Sequence, residues 1–203
     1  MQNIPTPAIV LIISGPAGSG KTTLCDQLLE DYPGSIRRLV TTTSRKPRTG
    51  EIDGVDYHFL DESVFKKRIQ EGRFIEWAMV HGRYYGSQSA DVLDSLADGL
   101  DLLLNIDIQG AEAFRRKQED IPGIAGKVHT VFIKPASVDQ LKERLKARGT
   151  DDPPEIERRL KSAEKEVLAA GEFDHTIVSG TREADYAALR KLYEKLRQPA
   201  PSS

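Results

Sequence analysis

The chain has 203 residues, of which 38% are hydrophobic and 30% are charged, a balance that predicts a folded globular domain and excludes a disordered chain. Its formal net charge of −2 excludes a global electrostatic attraction to nucleic acid or to an anionic membrane. The single cysteine excludes an intramolecular disulfide, and residues 1–7 show no basic segment followed by an apolar run, so we expect a cytoplasmic protein.

A phosphate-binding loop is predicted near the amino terminus. The uncharged apolar run from Ile9 to Ile13 is typical of a strand buried on both faces of a parallel sheet. The segment GPAGSGKT then matches the pattern GxxxxGK[ST], in which glycines let backbone N–H groups surround a phosphate. In such a loop Lys21 reaches the β- and γ-phosphates and the Thr22 hydroxyl binds Mg²⁺. An ordinary glycine-rich turn is the alternative, but the strand before the loop and the helix after it favour a nucleotide site.

A basic, hydroxyl-rich run overlaps the end of a second predicted strand, residues 36–42. Residues 41–51 read TTTSRKPRTGE and lack a hydrophobic period, as a solvated loop does. Arg45 and Arg48 flank Pro47, whose ring stiffens the loop, so their guanidinium groups are also candidates for binding one phosphate. Composition alone leaves both interpretations open.

Residues 35–88 interrupt the alternation of strands and helices expected of a parallel sheet. Short strands are predicted at 54–59 and 73–80, with a helix at 61–71 between them and a turn at 81–87 after them. Strands that follow one another in this way are typical of an antiparallel insertion. We therefore expect this block to hold a second substrate.

The parallel core resumes with residues 100–108, an apolar strand that ends in the acidic Asp107. A carboxylate at this position can hold Mg²⁺ through water, and a simple turn carboxylate is the alternative. Further core strands are predicted at 129–134 and 174–178, followed by a closing amphipathic helix at 181–196.

Two charged helices are predicted between those last strands, at 137–148 and 155–170. Charged helices usually present solvated faces. A phosphate-loop enzyme, however, must neutralise the group in transfer, and Arg144, Arg148 and Arg159 lie where a mobile lid would supply positive charge. We expect these helices to form that lid.

The chain resembles the guanylate kinase family in six ordered segments, namely GPAGSGKTT, TTTSRKPRTGEIDGVDYHF, FIEWAMVHGRYYGS, IDIQG, RLKARGT and ERRL. The patterns SRxPRxGExxGxDYxF and EWxxxxGxYYG discriminate most, because they belong to the acceptor region rather than to triphosphate binding in general. The resemblance implies Mg²⁺-dependent transfer of the γ-phosphoryl group of ATP to GMP, giving ADP and GDP.

The resemblance also implies roles for individual residues. Those expected to bind ATP are Gly15, Pro16, Ala17, Gly18, Ser19, Gly20, Lys21, Thr22 and Thr23. Those expected to bind GMP are Thr41, Arg45, Arg48, Glu51, Tyr57, Glu76, Tyr85, Ser87 and Asp107. The expected catalytic residues are Lys21, Arg45, Arg144, Arg148 and Arg159. The expected metal ligands are Thr22 and, through water, Asp107.

Glu76 has the chemistry to recognise guanine. A carboxylate can accept hydrogen bonds from guanine N1–H and the N2 amino group together, whereas adenine lacks that donor pair. The hydroxyl of Thr41 or Ser87 can donate to guanine O6. Such a site should reject AMP, whose binding would leave buried polar groups unpaired.

The predicted fold class is α/β: a P-loop NTPase core with a five-stranded parallel sheet flanked by helices, an inserted small mixed α+β GMP-binding domain and a helical lid. The expected boundaries are a core of 8–34, 89–136 and 171–198, an insertion of 35–88, a lid of 137–170 and a disordered tail of 199–203. We expect ATP, GMP and dGMP as small-molecule partners, no nucleic acid or membrane partner, and a monomer or homodimer.

Two positions depart from the family pattern. Asn105 stands where an aspartate is common, and the loss of that charge should reduce or retune activity. Ser179-Gly180 replaces an Asn-Asp pair that commonly lies near the adenine, so donor-base selectivity is open.

A guanylate-kinase-like binding module is the main alternative function, which the intact loop and the lid arginines disfavour. A kinase for another acceptor, such as a sugar phosphate, would leave Glu76 unused.

Overall fold

The computed structural model describes residues 8–80, 82–149 and 152–198, so the predicted tail lies outside it. The strands in these ranges are β1 (Val10–Ser14), β2 (Ile36–Arg38), β3 (Thr42–Thr43), β4 (His58–Phe59), β5 (Phe74–Val80), β6 (Arg83–Gln88), β7 (Asp101–Asn105), β8 (Val128–Pro135) and β9 (His175–Ser179). The α-helices there are α1 (Lys21–Asp31), α2 (Glu62–Gln70), α3 (Ser89–Ala97), α4 (Ile108–Lys117), α5 (Val138–Arg148), α6 (Pro153–Leu168) and α7 (Arg182–Leu196). Among these described helices, none has the length and apolar character needed to cross a bilayer.

The core is a five-stranded parallel sheet in the order β2-β7-β1-β8-β9. Every residue of β1 is buried. Val10 and Ile12 pack into one apolar cluster with α3 and α4, while Leu11 and Ile13 pack into another with α1 and α7. Successive side chains of a strand point to opposite faces, so helices on both faces account for the uninterrupted apolar run. The predicted parallel core is confirmed.

A second, mixed sheet has the order β4-β3-β6-β5. In it β3 runs parallel to β4, and β6 runs antiparallel to both β3 and β5. Phe65 of α2 is fully buried, and its ring stacks on Phe74 and Tyr84 at centroid separations of 4.4 and 5.4 Å. These aromatic contacts hold α2 on the sheet and give the small α+β unit a core of its own.

The prediction of a single strand at residues 36–42 is wrong, because these residues contribute to two strands in different sheets. The Leu39 N–H donates to Leu103 O of the parallel sheet at 3.0 Å, whereas Thr41 O accepts from the His58 N–H at 2.9 Å in the second sheet. The chain therefore crosses between sheets at residues 39–41. Apolar and β-branched composition indicates an extended backbone, but it does not specify the partner strand.

The turn predicted at residues 81–87 is also wrong over most of its length, because residues 83–88 form β6. Val80 pairs with Arg83 across the hairpin, and Gly82 there has a φ of 73° that favours glycine. The predicted strand at 54–59 shortens to β4. No element was predicted for α3, which follows β6 without an intervening turn sequence.

The two helices of the predicted lid, α5 and α6, begin at side-chain caps. The Ser137 hydroxyl accepts from the Gln140 N–H and caps α5 as predicted, and α5 ends at Gly149 in the left-handed region. Helix α6 begins two residues earlier than predicted, because Asp152 caps it and Pro153 fits the first turn, where no N–H is needed. The two helices enclose a separate apolar cluster of Leu141, Leu145, Ile156, Leu160 and Ala163.

Candidate active site

The phosphate loop joins the carboxyl end of β1 to the first turn of α1. Gly15, Gly18 and Gly20 have φ values of 136°, 85° and 96°, a backbone shape that disfavours any side chain. A Cβ on Gly15 would lie only 2.5 Å from Ile133 O, so the close approach to β8 also requires glycine. The loop ends at the amino terminus of α1, whose first N–H groups and dipole attract an anion.

Lys21 is held at this loop by its own backbone. Its Nζ donates to Gly15 O at 2.6 Å and to Pro16 O at 2.9 Å. The ammonium group therefore already lies over the loop, where a bound phosphate would receive its charge. This geometry fits the predicted role of Lys21 on the β- and γ-phosphates.

The predicted metal residues Thr22 and Asp107 have different surroundings. Asn105 Nδ2 donates to Thr22 Oγ1 at 3.3 Å, because the pairing of Ile13 with Asn105 brings the end of β7 beside the loop. Asp107 Oδ1 instead accepts from the Gly110 N–H at 2.8 Å and caps α4. The amide of Asn105 thus contacts Thr22. Metal binding by Thr22 and Asp107 stays a prediction.

A cleft of about 420 Å³ lies between the parallel core and the second sheet. Its lining includes the predicted residues Thr41, Tyr57, Glu76, Tyr85, Asp107 and Arg159. Ala17 of the phosphate loop lines it too, so the loop and the predicted acceptor residues border one space. A cleft of this volume is large enough for a nucleotide.

Glu76 is the buried carboxylate of this cleft, with 3% of its surface exposed. The Ser87 hydroxyl donates to its Oε1 at 2.7 Å. Burial, reinforced by the negative charge of Asp107, raises the pKa of Glu76 to about 7, although the Ser87 hydrogen bond opposes that shift. A carboxylate this poorly solvated should favour a ligand that supplies hydrogen-bond donors.

Arg45 and Glu51 form a bidentate ion pair, with both N–O distances at 2.8 Å. Glu51 also accepts from the Arg48 N–H at 2.7 Å, and its pairing with Arg45 lowers its pKa to about 2. The guanidinium of Arg45 lies 5.4 Å from the Tyr57 ring centroid, and the Tyr57 and Tyr85 rings are 6.1 Å apart. Glu51, predicted to bind GMP, here orients Arg45 and closes the loop.

Two of the arginines predicted for the lid, Arg144 and Arg159, lie near the phosphate loop. Arg159 lines the cleft, and its Nε donates to Glu155 at 2.9 Å. Arg144 donates to Ser19 O of the loop at 3.4 Å and to Ser179 Oγ at 2.8 Å. The side chain of Arg148 lies outside the described residues.

Sequence reasoning missed Gly110, which also lines the cleft. A Cβ at this position would lie 3.1 Å from Glu76 Oε2, so a larger residue would press on the buried carboxylate. Its position three residues after Asp107, in the first turn of α4, was the available sequence signal.

A phosphate loop at the carboxyl end of a central parallel strand, with an adjoining cleft, defines a P-loop nucleotide-binding protein. The family model described as guanylate kinase matches residues 8–196. The chain therefore belongs to the guanylate kinase family.

Individual relatives agree with this assignment. A guanylate kinase of Nitratidesulfovibrio vulgaris is 44% identical over 185 residues, covering 91% of this chain and 86% of the relative. A guanylate kinase of Aromatoleum aromaticum is 43% identical over 173 residues, covering 85% and 81% of the two chains. The crystal structure of guanylate kinase from Anaplasma phagocytophilum superposes with a TM-score of 0.73 at 28% identity, covering 96% of this chain and 88% of that one.

Proposed function

We propose that this chain transfers the γ-phosphoryl group of ATP to GMP or dGMP with Mg²⁺, giving ADP and GDP or dGDP. The observation that carries the proposal is the cleft bordered by the phosphate loop, the second sheet and the lid. Ala17 comes from the loop, Glu76 from β5 and Arg159 from α6. A donor on the loop and an acceptor beside Glu76 would share one space, as direct transfer requires.

The acceptor base would be read by Glu76. Its carboxylate accepts from guanine N1–H and the N2 amino group, while Thr41 or Ser87 donates to O6. Adenine would place an unprotonated N1 against the buried carboxylate, which accounts for selectivity against AMP. Asp107 borders the same part of the cleft and adds negative charge on the side of the base's donors.

The acceptor phosphate would lie at the cluster of Arg45, Arg48, Tyr57 and Tyr85. The fork of Arg45 is bound to Glu51, which fixes its plane, and the tyrosine hydroxyls add neutral donors. Positive charge and rigid orientation together would hold the phosphate oxygen for attack.

The donor triphosphate would bind the loop residues 15–23 and the ammonium of Lys21. When bound with the donor, Mg²⁺ supplies charge neutralisation at the β- and γ-phosphates. The neighbouring oxygen-bearing side chains of Thr22, Asn105 and Asp107 suit this hard cation.

Transfer needs little covalent chemistry from the protein. An oxygen of the GMP phosphate attacks the γ-phosphorus while the bond to the β-phosphate oxygen breaks. The nucleophile is already anionic, so no general base is required. Lys21, Arg45, Arg144, Arg148 and Arg159 would stabilise the charge spread over the transferring group.

The chain divides, in this proposal, into the parallel core, the acceptor region around the second sheet and the lid of α5 and α6. The acceptor region and the lid close over bound nucleotides and exclude water from the γ-phosphate, while the core stays fixed. We also propose that the chain acts on small molecules in the cytoplasm, as a monomer or a homodimer.

The test is ADP release in a coupled assay with ATP and Mg²⁺ fixed and GMP, AMP, CMP or UMP offered in turn. We expect turnover with GMP alone. A nucleotide panel without turnover, combined with retained GMP binding, would favour the binding-module alternative. A sugar phosphate that outcompetes GMP would replace the proposed acceptor.

The KM for GMP should depend on pH through Glu76. Guanine binds the ionised carboxylate, and the pKa of this group is about 7, so ionisation rises as the pH increases. We expect the KM for GMP to fall about fourfold between about pH 6.5 and about pH 8, a window above the second pKa of a phosphate monoester. The KM for ATP serves as the control and should stay flat. A pH-independent KM for GMP would contradict the role of Glu76.

Replacing Asn105 with aspartate should reduce the Mg²⁺ concentration needed for half-maximal activity. The change places a carboxylate beside Thr22, and one added charge a few ångströms from the cation is worth about 1 kcal/mol, or about fivefold. Asn105→Ala, which removes the amide without adding charge, is the matched control. The idea is wrong if Asn105→Asp leaves both Mg²⁺ dependence and turnover unchanged.

A further inference from the structure

Two aspartates are buried among the residues that the structure describes, and they lie at opposite ends of the parallel sheet. Asp101, at the start of β7, accepts from the Ile9 N–H and the Tyr193 hydroxyl, and so ties α7 to the amino-terminal edge. Asp185, on α7, is 5% exposed and lies at the carboxyl end of β9. The proposed function does not use Asp185.

Asp185 binds the turn between β9 and α7. Its Oδ2 accepts from the Ser179 hydroxyl at 2.5 Å and its Oδ1 accepts from the Gly180 N–H at 2.7 Å. Helix α7 has a cap without it, because the Thr181 hydroxyl accepts from the Ala184 N–H. A buried carboxylate is costly unless its hydrogen bonds are satisfied, and this one is satisfied by the turn rather than by the helix end.

The same turn also binds Arg144 of the lid. Arg144 Nη1 donates to Ser179 Oγ at 2.8 Å, and Nη2 donates to Gly180 O at 3.0 Å. The same Nη1 lies 3.4 Å from Ser19 O of the phosphate loop. A guanidinium can only donate hydrogen bonds and a carboxylate can only accept them. The Ser179 hydroxyl must therefore donate to Asp185 and accept from Arg144.

This chain of contacts lies on the donor side of the phosphate loop. Strand β1 has β7 on one side and β8, followed by β9, on the other. The acceptor cleft includes Asn105, Ile106 and Asp107, which follow β7, whereas Ser179 ends β9. Ligands of parallel sheets bind beyond the carboxyl ends of the strands, so the β9 end is left for the donor.

We propose that Asp185 is a positioning residue for the phosphoryl donor, acting through Ser179 and Gly180 to hold Arg144 against the phosphate loop. The inference rests on the proposed function for the identity of the donor, ATP. The buried carboxylate of Asp185 supplies the group that anchors this turn.

Asp185→Asn tests the proposal at nearly constant volume. The side-chain NH₂ group of the new asparagine is a donor, as is Arg144, and both would then face Ser179 Oγ. The hydrogen-bond chain from Arg144 through Ser179 to residue 185 would therefore be broken. We expect the KM for ATP, and the dissociation constant of MgATP measured by calorimetry without GMP, to rise roughly tenfold. The KM for GMP should stay within about twofold.

Ser179→Ala provides a second route if Asp185→Asn folds poorly. It should weaken MgATP binding in the same direction, and the double variant should be no weaker than the stronger single one, because both interrupt one chain. Asp101→Asn is the matched control for loss of a buried carboxylate. It should lower Tm without changing MgATP binding.

Unchanged MgATP binding in both Asp185→Asn and Ser179→Ala, or an equal rise in the KM for GMP, would overturn the proposal. The proposed function fails separately if the unsubstituted protein does not phosphorylate GMP. In that case calorimetry with MgATP still decides whether Asp185 positions the donor site.

Discussion

Lys21→Ala should lower kcat/KM for ATP by about a thousandfold, because the transferring phosphoryl group loses a charge aimed at it. The two loop carbonyls that accept from Lys21 hold the ammonium at the loop, so the charge needs little rearrangement before transfer. Coupled-assay kinetics with saturating GMP give the measurement. Circular dichroism should show an intact fold, because the loop geometry depends on its glycines and on β1.

Lys67→Ala is the control for loss of a lysine. Its side chain is 75% exposed on α2, and its Nζ lies 3.9 Å from Glu71 Oε1. An exposed pair of this kind contributes little, so activity should be unchanged. Retention of more than about a tenth of the kcat/KM in Lys21→Ala would remove Lys21 from the proposed transfer mechanism.

Glu76→Gln should lower kcat/KM for GMP by at least about a hundredfold, since the side-chain NH₂ group would oppose the donors of guanine. The KM for ATP should change little, because Glu76 lies in the acceptor part of the cleft. The substitution keeps side-chain volume, and the amide oxygen can still accept from Ser87. A variant that kept its preference for GMP over AMP would show that another group reads the base.

The same substitution should stabilise the protein at alkaline pH. The folded pKa of Glu76 is about 7, above its ordinary value of 4.5, so the folded state binds more protons between those values. Stability is therefore present at low pH and is lost as the pH rises through this window. Above about pH 7 we expect Glu76→Gln to have a free energy of unfolding larger by on the order of 2 kcal/mol. Urea denaturation at two pH values would measure it.

Local sequence patterns predicted the phosphate loop well, since its glycine spacing, its preceding strand and its following helix are all contiguous. The roles of Thr41, Tyr57 and Glu76 came from family resemblance, because no local spacing brings them together. The structure places all three in one cleft. Their binding roles stay predictions until tested.

Features that depend on strand pairing were not predictable from the sequence alone. Asn105 meets Thr22 because β7 pairs with β1 in one register, across 83 positions of the chain. The division of residues 36–42 between two sheets depends likewise on distant partners such as Leu103 and His58. Tyr84 and Tyr85 fall within the turn predicted at residues 81–87, whereas their antiparallel pairing with β5 makes them strand residues.

The predicted lid and the phosphate loop are stabilised by different apolar clusters. The loop extends from β1, which is packed into both main apolar clusters, so the amide protons of β1 should exchange with solvent only through openings close to global unfolding. Helices α5 and α6 share their own cluster and reach the loop where Leu141 and Leu145 approach Gly18. We therefore expect the predicted lid to open as a low-energy cooperative unit while the phosphate loop stays formed, so that nucleotide exchange would not require unfolding of the whole domain.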